Sequence, residues 1–224
     1  MAAHSWDELA QLSVDVPDAL ARRAESHDSA VPPAVPQPSA SVILIRDTEA
    51  GLETYLLHRH AKMPFAANMV VFPGGRVDPD DARQGLDPIR ACALRETAEE
   101  TSVQLADHHL HAWAHWITPE IEPRRYDTHF FVAPMPPFQH ARDISGETDR
   151  ARWTTPSEAL RAEAAGTIGL MPPTLSILLE LAAAGSVDEV LTAAEGRIVD
   201  VVVPELEPAG AGWVFRYPGG VSRA

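Results

Sequence analysis

"FPGGRVDPDDARQGLDPIRACALRETAEET", residues 72–101, opens on the paired glycines Gly74 and Gly75 and closes on Glu96, Glu99 and Glu100. Its closing part predicts a helix from about Ile89 to Thr101. Neighbours three and four apart share a helix face, so the three carboxylates fall within an arc of roughly 100°. Ala91, Leu94, Ala98 and Thr101 take the other side, as a packing face. Glu96 and Glu100, four apart, repel by a few tenths of a kcal/mol unless something neutralises them. Arg95, four residues before Glu99, offsets part of this. Two readings are open on helix geometry: a solvated acidic face, or the oxygen cluster a hard cation such as Mg²⁺ requires. The context favours the cation. The glycines follow a strand-like "NMVVF" and read as a turn that brings main chain close to a metal or phosphate.

The segments on either side read as an α+β domain. "SVILIRD" and "TYLLHRH" are strands separated by the polar turn "TEAGLE", and "YDTHFFVAPM" and "ARWTTP" are further strands. Pro156 suits the first turn of a helix "PSEALRAEA". "PPTLSILLELAAAG" and "VDEVLTAAEG" predict two more helices, and "RIVDVVVPEL" and "GWVFRYP" close the chain as strands. Helices cluster late, which is not the strict alternation of a parallel α/β fold. Residues 1–39 read as an N-terminal arm, with a short amphipathic helix bearing Trp6, Leu9, Leu12 and Leu20. A Pro-rich linker follows, and residues 40–224 form one domain.

The 224 residues are 45% hydrophobic, enough for a core, and carry a formal charge of −14. Such an acidic chain is unsuited to nonspecific nucleic-acid binding. The single cysteine, Cys92, allows no internal disulfide and suits a reducing cytoplasm. Runs such as "SVILI" are too short to span a bilayer.

"GGRVDPDD" followed by "RETAEETSV" resembles the Nudix box, and Arg95, Glu96, Glu99 and Glu100 match its Arg-Glu-x-x-Glu-Glu core in full. The box departs from the common pattern at Asp81, where a glutamate is usual. It also carries an insertion in "ARQGLDPI" and has Ser102 in place of the closing glycine. The flanks "LLHRHAKMPFAANMVVFPGG", "HWITPEIEPRRYDTHFFVA", "GETDRARWTTPSEAL" and "PPTLSILLEL" resemble the Nudix group that includes the mammalian peroxisomal coenzyme A diphosphatase. That likeness spans roughly residues 40–205. Pro64 and Asn68 stand where a related bacterial type has its Arg and Gly signature.

The resemblance implies an α/β/α sandwich around a mixed sheet, with extra C-terminal helices. It implies Mg²⁺ or Mn²⁺ held by Glu96, Glu99 and Glu100, with Gly75 as a backbone ligand. Catalysis would fall to Glu99, Glu96 and Glu147, with Arg95 as an orienter of Glu99. Arg124, Arg125, Arg59 and Gly74 would bind substrate. The implied substrate is a small nucleoside diphosphate linked to another group, coenzyme A or an acyl derivative first, NADH or ADP-ribose next. Its pocket would draw on Met63, Phe65 and Met171. A non-catalytic sensor on the same fold is the alternative, and a homodimer is compatible with all of these readings.

Several residues carry a plainer reading beside the functional one. Arg124 and Arg125 can pair with Glu120, Glu122 or Asp127 on the surface. Glu147 can be an ordinary loop acid. His111 and His115 are spaced four apart as a zinc pair would be, but no third ligand is apparent, and Trp113 and Trp116 point to packing. Cys92 reads as a packing residue.

Overall fold

The structure, a computed structural model, describes residues 16, 18–26, 31–59, 69–83, 85–142, 148–210 and 212–217. Its strands are β1 (Gln37–Thr48), β2 (Gly51–Arg59), β3 (Met69–Val71), β4 (Gly74–Arg76), β5 (His111–Ile117), β6 (Tyr126–Pro134), β7 (Thr148–Thr154), β8 (Gly169–Leu170), β9 (Val201–Val202), β10 (Glu205–Ala209) and β11 (Gly212–Arg216). The helices are α1 (Asp18–Glu25), α2 (Pro88–Thr101), α3 (Pro156–Ala164), α4 (Pro172–Ala182) and α5 (Val187–Ala194).

β1 is the axis of the molecule. The main sheet runs β8-β3-β2-β1-β6-β5-β9, with β4 added to β1 and β7 to β2. β1 is antiparallel to β2 and parallel to β6, so the sheet is mixed. Side chains alternate along a strand. Ala40, Val42 and Leu44 therefore pack with Cys92 and Ala93 of α2 on one face. Ile43 and Ile45 pack with Ala159 of α3, Leu175 and Leu178 of α4, and Val190 of α5 on the other. Both faces are covered, and β1 is accordingly buried without a break from Ser39 to Ile45. This is the expected α/β/α sandwich.

Four expectations are revised. The glycine pair is not a turn: Gly74–Arg76 forms β4, antiparallel to Ser39–Ser41 of β1. Residues His111–Ile117, given no strand from the sequence, form the inner strand β5, with Trp113 and Trp116 buried as the packing reading expects. "RIVDVVVPEL" splits at Pro204 into β9 and β10, because proline cannot donate to a ladder. On α2, Leu94 and Ala98 are only half-buried, while Ala93, Thr97 and Thr101 form the buried row with Glu100. Burying two threonines is tolerable because their hydroxyls donate to Ala93 O (2.7 Å) and Thr97 O (2.6 Å).

The arm is more than peripheral where it is described. Leu20 of α1 is buried, and Arg23 pairs with Glu122. Trp6, Leu9 and Leu12 lie outside the described residues. β1 begins at Gln37, so the expected boundary at residue 40 falls inside a strand.

Candidate active site

α2 starts on a proline in its first turn, and the Asp87 carboxylate caps it by accepting from Ile89 N and Arg90 N. It stops at Ser102, whose amide closes on Ala98 O in the left-handed region, φ 63°. Glycine normally takes this position. The helix lies beside β4, and that places its carboxylates against the glycine pair.

Gly74 N donates to Glu100 Oε2 at 2.8 Å. Glu100 is 7% exposed, so this backbone donor is part of what makes burying its charge tolerable. At Gly75 the approach is closer. A Cβ there would stand 2.1 Å from Glu96 Oε1, and one at Gly74 would stand 2.4 Å from Ala40 O. Gly74 therefore needs glycine, because the obstacle is backbone, whereas a side chain at Gly75 would displace the Glu96 carboxylate. Gly75 O meets the Cys92 thiol at 3.5 Å.

Arg95 organises the acidic groups. Its Nε donates to Asp81 Oδ1 and its Nη2 to Asp81 Oδ2, both at 3.0 Å. Nη1 is shared between Glu96 Oε1 (2.8 Å) and Glu99 Oε2 (3.0 Å). The expected role of Arg95 as an orienter is thus wider than its pair with Glu99. Asp81, fully buried, is its anchor, and Glu99, 59% exposed in its side chain, is its loosest partner. Asp81 itself accepts from Asp78 N at 2.7 Å. Burial pushes the Asp81 carboxyl up. The Arg95 hydrogen bonds, the Asp78 amide and the Arg95 charge outweigh it and hold the group below its usual value. Glu96 goes the other way. Burial raises it, Arg95 counteracts, and the charges of Glu99 and Asp81 raise it further. A divalent cation would reverse that last repulsion.

Of these groups Gly74, Gly75, Glu96 and Glu100 line a cleft of about 860 Å³, while Asp81, Arg95 and Glu99 are not in its lining. Trp116, Tyr126 and Met171 line the same cleft. The size suits a nucleotide-sized ligand. Leu20, Ala34 and Val35 of the arm contribute to its wall, which no sequence pattern announced.

The two predicted substrate arginines both line the cleft but differ in burial and partners. Arg124 is exposed and lines the cleft. Arg125 is 7% exposed and donates to Thr118 O (2.9 Å) and Ala34 O (3.0 Å), stapling the linker to the β5–β6 connection. Neither makes the surface ion pairs weighed from the sequence. Glu147, Met63, Phe65 and the side chain of Arg59 lie outside the described residues.

The fold and the carboxylate-bearing helix beside the glycine strand together point to a Nudix domain. The chain belongs to the NUDIX domain family, whose sequence profile matches residues 35–172. A "Putative nudix hydrolase 7" from Caenorhabditis elegans is 28% identical over 179 residues, covering 64% of this chain. The chain spans 59% of that relative's length. A NUDIX hydrolase from Alicyclobacillus acidocaldarius is similar in structure, with a TM-score of 0.64 and 24% identity over 72% of this chain and 96% of that one. The NUDIX domain of Shewanella oneidensis NrtR, crystallised with ADP ribose, has a TM-score of 0.51 and 16% identity, covering 74% and 96%. At these identities the structural likenesses show the fold alone.

Proposed function

We propose that this chain is a divalent-metal-dependent hydrolase that splits the diphosphate of a nucleoside diphosphate linked to another group. The observation that carries the reading is the pair of carboxylates set against two glycines in the wall of the cleft: Glu100 on Gly74 N, and Glu96 where a Gly75 side chain would be. Partly buried carboxylates packed directly against glycine backbone fit Mg²⁺ or Mn²⁺, which take oxygen ligands. Glu96, Glu99 and Glu100 would hold the ion, with the Gly75 carbonyl as a backbone candidate. Bound there, such an ion neutralises phosphate charge and acidifies water.

The protein's own groups do the rest. Asp81 fixes the Arg95 guanidinium, which holds Glu96 and Glu99 in register. A glutamate at the cleft accepts the proton of the attacking water. The water oxygen bonds to phosphorus, the bridging P–O bond breaks, and both products leave with terminal phosphates. Positioning and electrostatics supply most of the acceleration in phosphoryl transfer.

Coenzyme A or an acyl derivative is the first substrate to test, on the likeness of the flanking segments, and NADH and ADP-ribose come second. The apolar length of the cleft, with Trp116, Tyr126 and Met171, suits an adenine or a pantetheine arm. Among the described residues no helix is long and apolar enough to cross a membrane. The free, buried Cys92 accords with the reducing cytoplasm proposed as its location.

The test is release of nucleoside monophosphate products from coenzyme A, NADH, ADP-ribose and nucleoside triphosphates, with Mg²⁺ and with Mn²⁺. Preference for triphosphates overturns the substrate class, and preference for ADP-ribose overturns only the ranking. Tight binding of a linked diphosphate without turnover would favour the sensor reading instead.

A further inference from the structure

Outside the cleft, β5 and β6 bring three metal-ligating side chains together. In the antiparallel register His115 faces His129, and Asp127 lies two residues before His129, on the same side of β6. The His115 Nε2 is hydrogen-bonded to Asp127 Oδ1, and the His129 Nε2 stands 3.9 Å from the same oxygen. The two imidazoles stack at 3.9 Å between centroids with planes 24° apart. One ligand atom from each of the three residues lies within 4.8 Å of the others. Among the described residues it is this group, and not the three box glutamates, that is drawn so tight.

We propose that His115, Asp127 and His129 form a second metal site, one that takes zinc or a similar borderline divalent ion. Two imidazoles and a carboxylate suit Zn²⁺, Co²⁺ or Ni²⁺ far better than Mg²⁺, which prefers oxygen throughout. Both Nε2 atoms already turn toward one carboxylate oxygen. Small rotations of the stacked rings would bring the three ligand atoms to the roughly 2.0–2.2 Å that zinc requires. The side chains are 15% (His115), 36% (Asp127) and 37% (His129) exposed, so an ion can enter from solvent and keep a water as its fourth ligand.

The site is separate from the box. In β1, Ala40 pairs with His129 on one side and Gly75 on the other. Two strand spacings therefore divide the histidine from the glycine, about 10 Å in all. Cys92 of α2 packs with Ala40 over that gap. Nearby charges are the Asp87 carboxylate, which acts on His129, and Arg90, which is held by Asp107 and lies over the Phe131 ring. A bound ion would cross-link β5 to β6 behind Tyr126 and Thr128, which face the cleft.

The full chain, in a large excess of Mg²⁺ to fill the carboxylate site, is titrated with Zn²⁺ by calorimetry. Two-bond ¹H–¹⁵N spectra of the histidine rings are recorded in parallel. One equivalent of Zn²⁺ should shift two imidazoles, and His129→Gln should weaken binding about 100-fold or more, since even changes around metal ligands cost about 10–100-fold. Asp127→Asn should weaken it in the same direction. Ring signals of the wild type that do not respond to Zn²⁺ overturn the proposal, whatever the variants do. Unchanged affinity in folded His129→Gln overturns it as well.

Discussion

Asp81 and Arg95 face each other through two hydrogen bonds of 3.0 Å, Nε to Oδ1 and Nη2 to Oδ2, with the aspartate wholly inaccessible to solvent. The pair fixes the guanidinium plane, and the remaining Nη1 then reaches both Glu96 and Glu99. The positions of two of the three box glutamates thus depend on a carboxylate fourteen residues upstream. Asp81→Asn should cost about 3 kcal/mol of stability, because it takes from a partly buried arginine its only fully buried counter-charge and leaves it the more exposed Glu96 and Glu99. Urea unfolding measures this, and a loss under about 1 kcal/mol would mean that Arg95 re-pairs with the glutamates alone.

The same pair sets an acid limit. Asp81 is held below its ordinary value in the folded chain, so it binds fewer protons folded than unfolded. Its contribution is complete above the unfolded carboxylate range, near pH 4, and is lost as pH falls through its lower folded value. Between about pH 5 and pH 2 the wild type should lose more stability than Asp81→Asn does. Parallel curves in acid denaturation would contradict this.

Gly75→Ala places a methyl where Glu96 Oε1 now sits, 2.1 Å from the new carbon. The carboxylate must move by an ångström or more, and turnover should fall about 100-fold. The variant should stay folded, because Glu96 is a side chain that can swing away. Wild-type kcat with a normal circular dichroism spectrum would separate Gly75 from the reaction.

Glu99→Gln keeps size and removes charge at the most exposed of the three carboxylates. Turnover should fall about 100-fold or more at saturating Mg²⁺, if charge at this position holds the ion. Stability should change by under about 0.5 kcal/mol, as for exposed ion pairs in general. Near-normal kcat would remove Glu99 from the metal set.

Ser102 holds a left-handed conformation at φ 63° that costs a non-glycine residue roughly 1 kcal/mol. Ser102→Gly should raise stability by about that amount, read as a higher midpoint in urea. No gain would mean that the serine is compensated locally.

Arg124 and Arg125 predict opposite phenotypes. Arg125→Ala removes donors to Thr118 O and Ala34 O and should cost about 2 kcal/mol of stability. Arg124→Ala should leave stability unchanged and raise KM. Equal effects of the two on KM, with both proteins equally stable, would return both to the substrate.

The helical spacing of Glu96, Glu99 and Glu100 was legible as one carboxylate-bearing helix face because it is a local feature. Helix geometry turns positions three and four apart into one face, whatever the rest of the chain does. The strands of β1, β2 and β6 and the helices α2 to α5 were readable for the same reason, from short-range pattern and from proline at helix starts. The packing read at Trp113 and Trp116 holds, but the neighbours of His115 could not be read from its spacing to His111, because they come from across the sheet.

What the sequence determined by itself is the family, the sandwich and the carboxylate face. Tertiary structure alone decided that Gly74 and Gly75 lie in a strand beside β1, that Asp81 anchors Arg95, and that Arg125 staples the linker at the cleft wall while Arg124 stays exposed there. It also decided that the arm walls that cleft and that His115 meets Asp127 and His129. Each of these depends on which strand lies beside which, and pairing partners far apart in the chain leave no periodic trace in either segment.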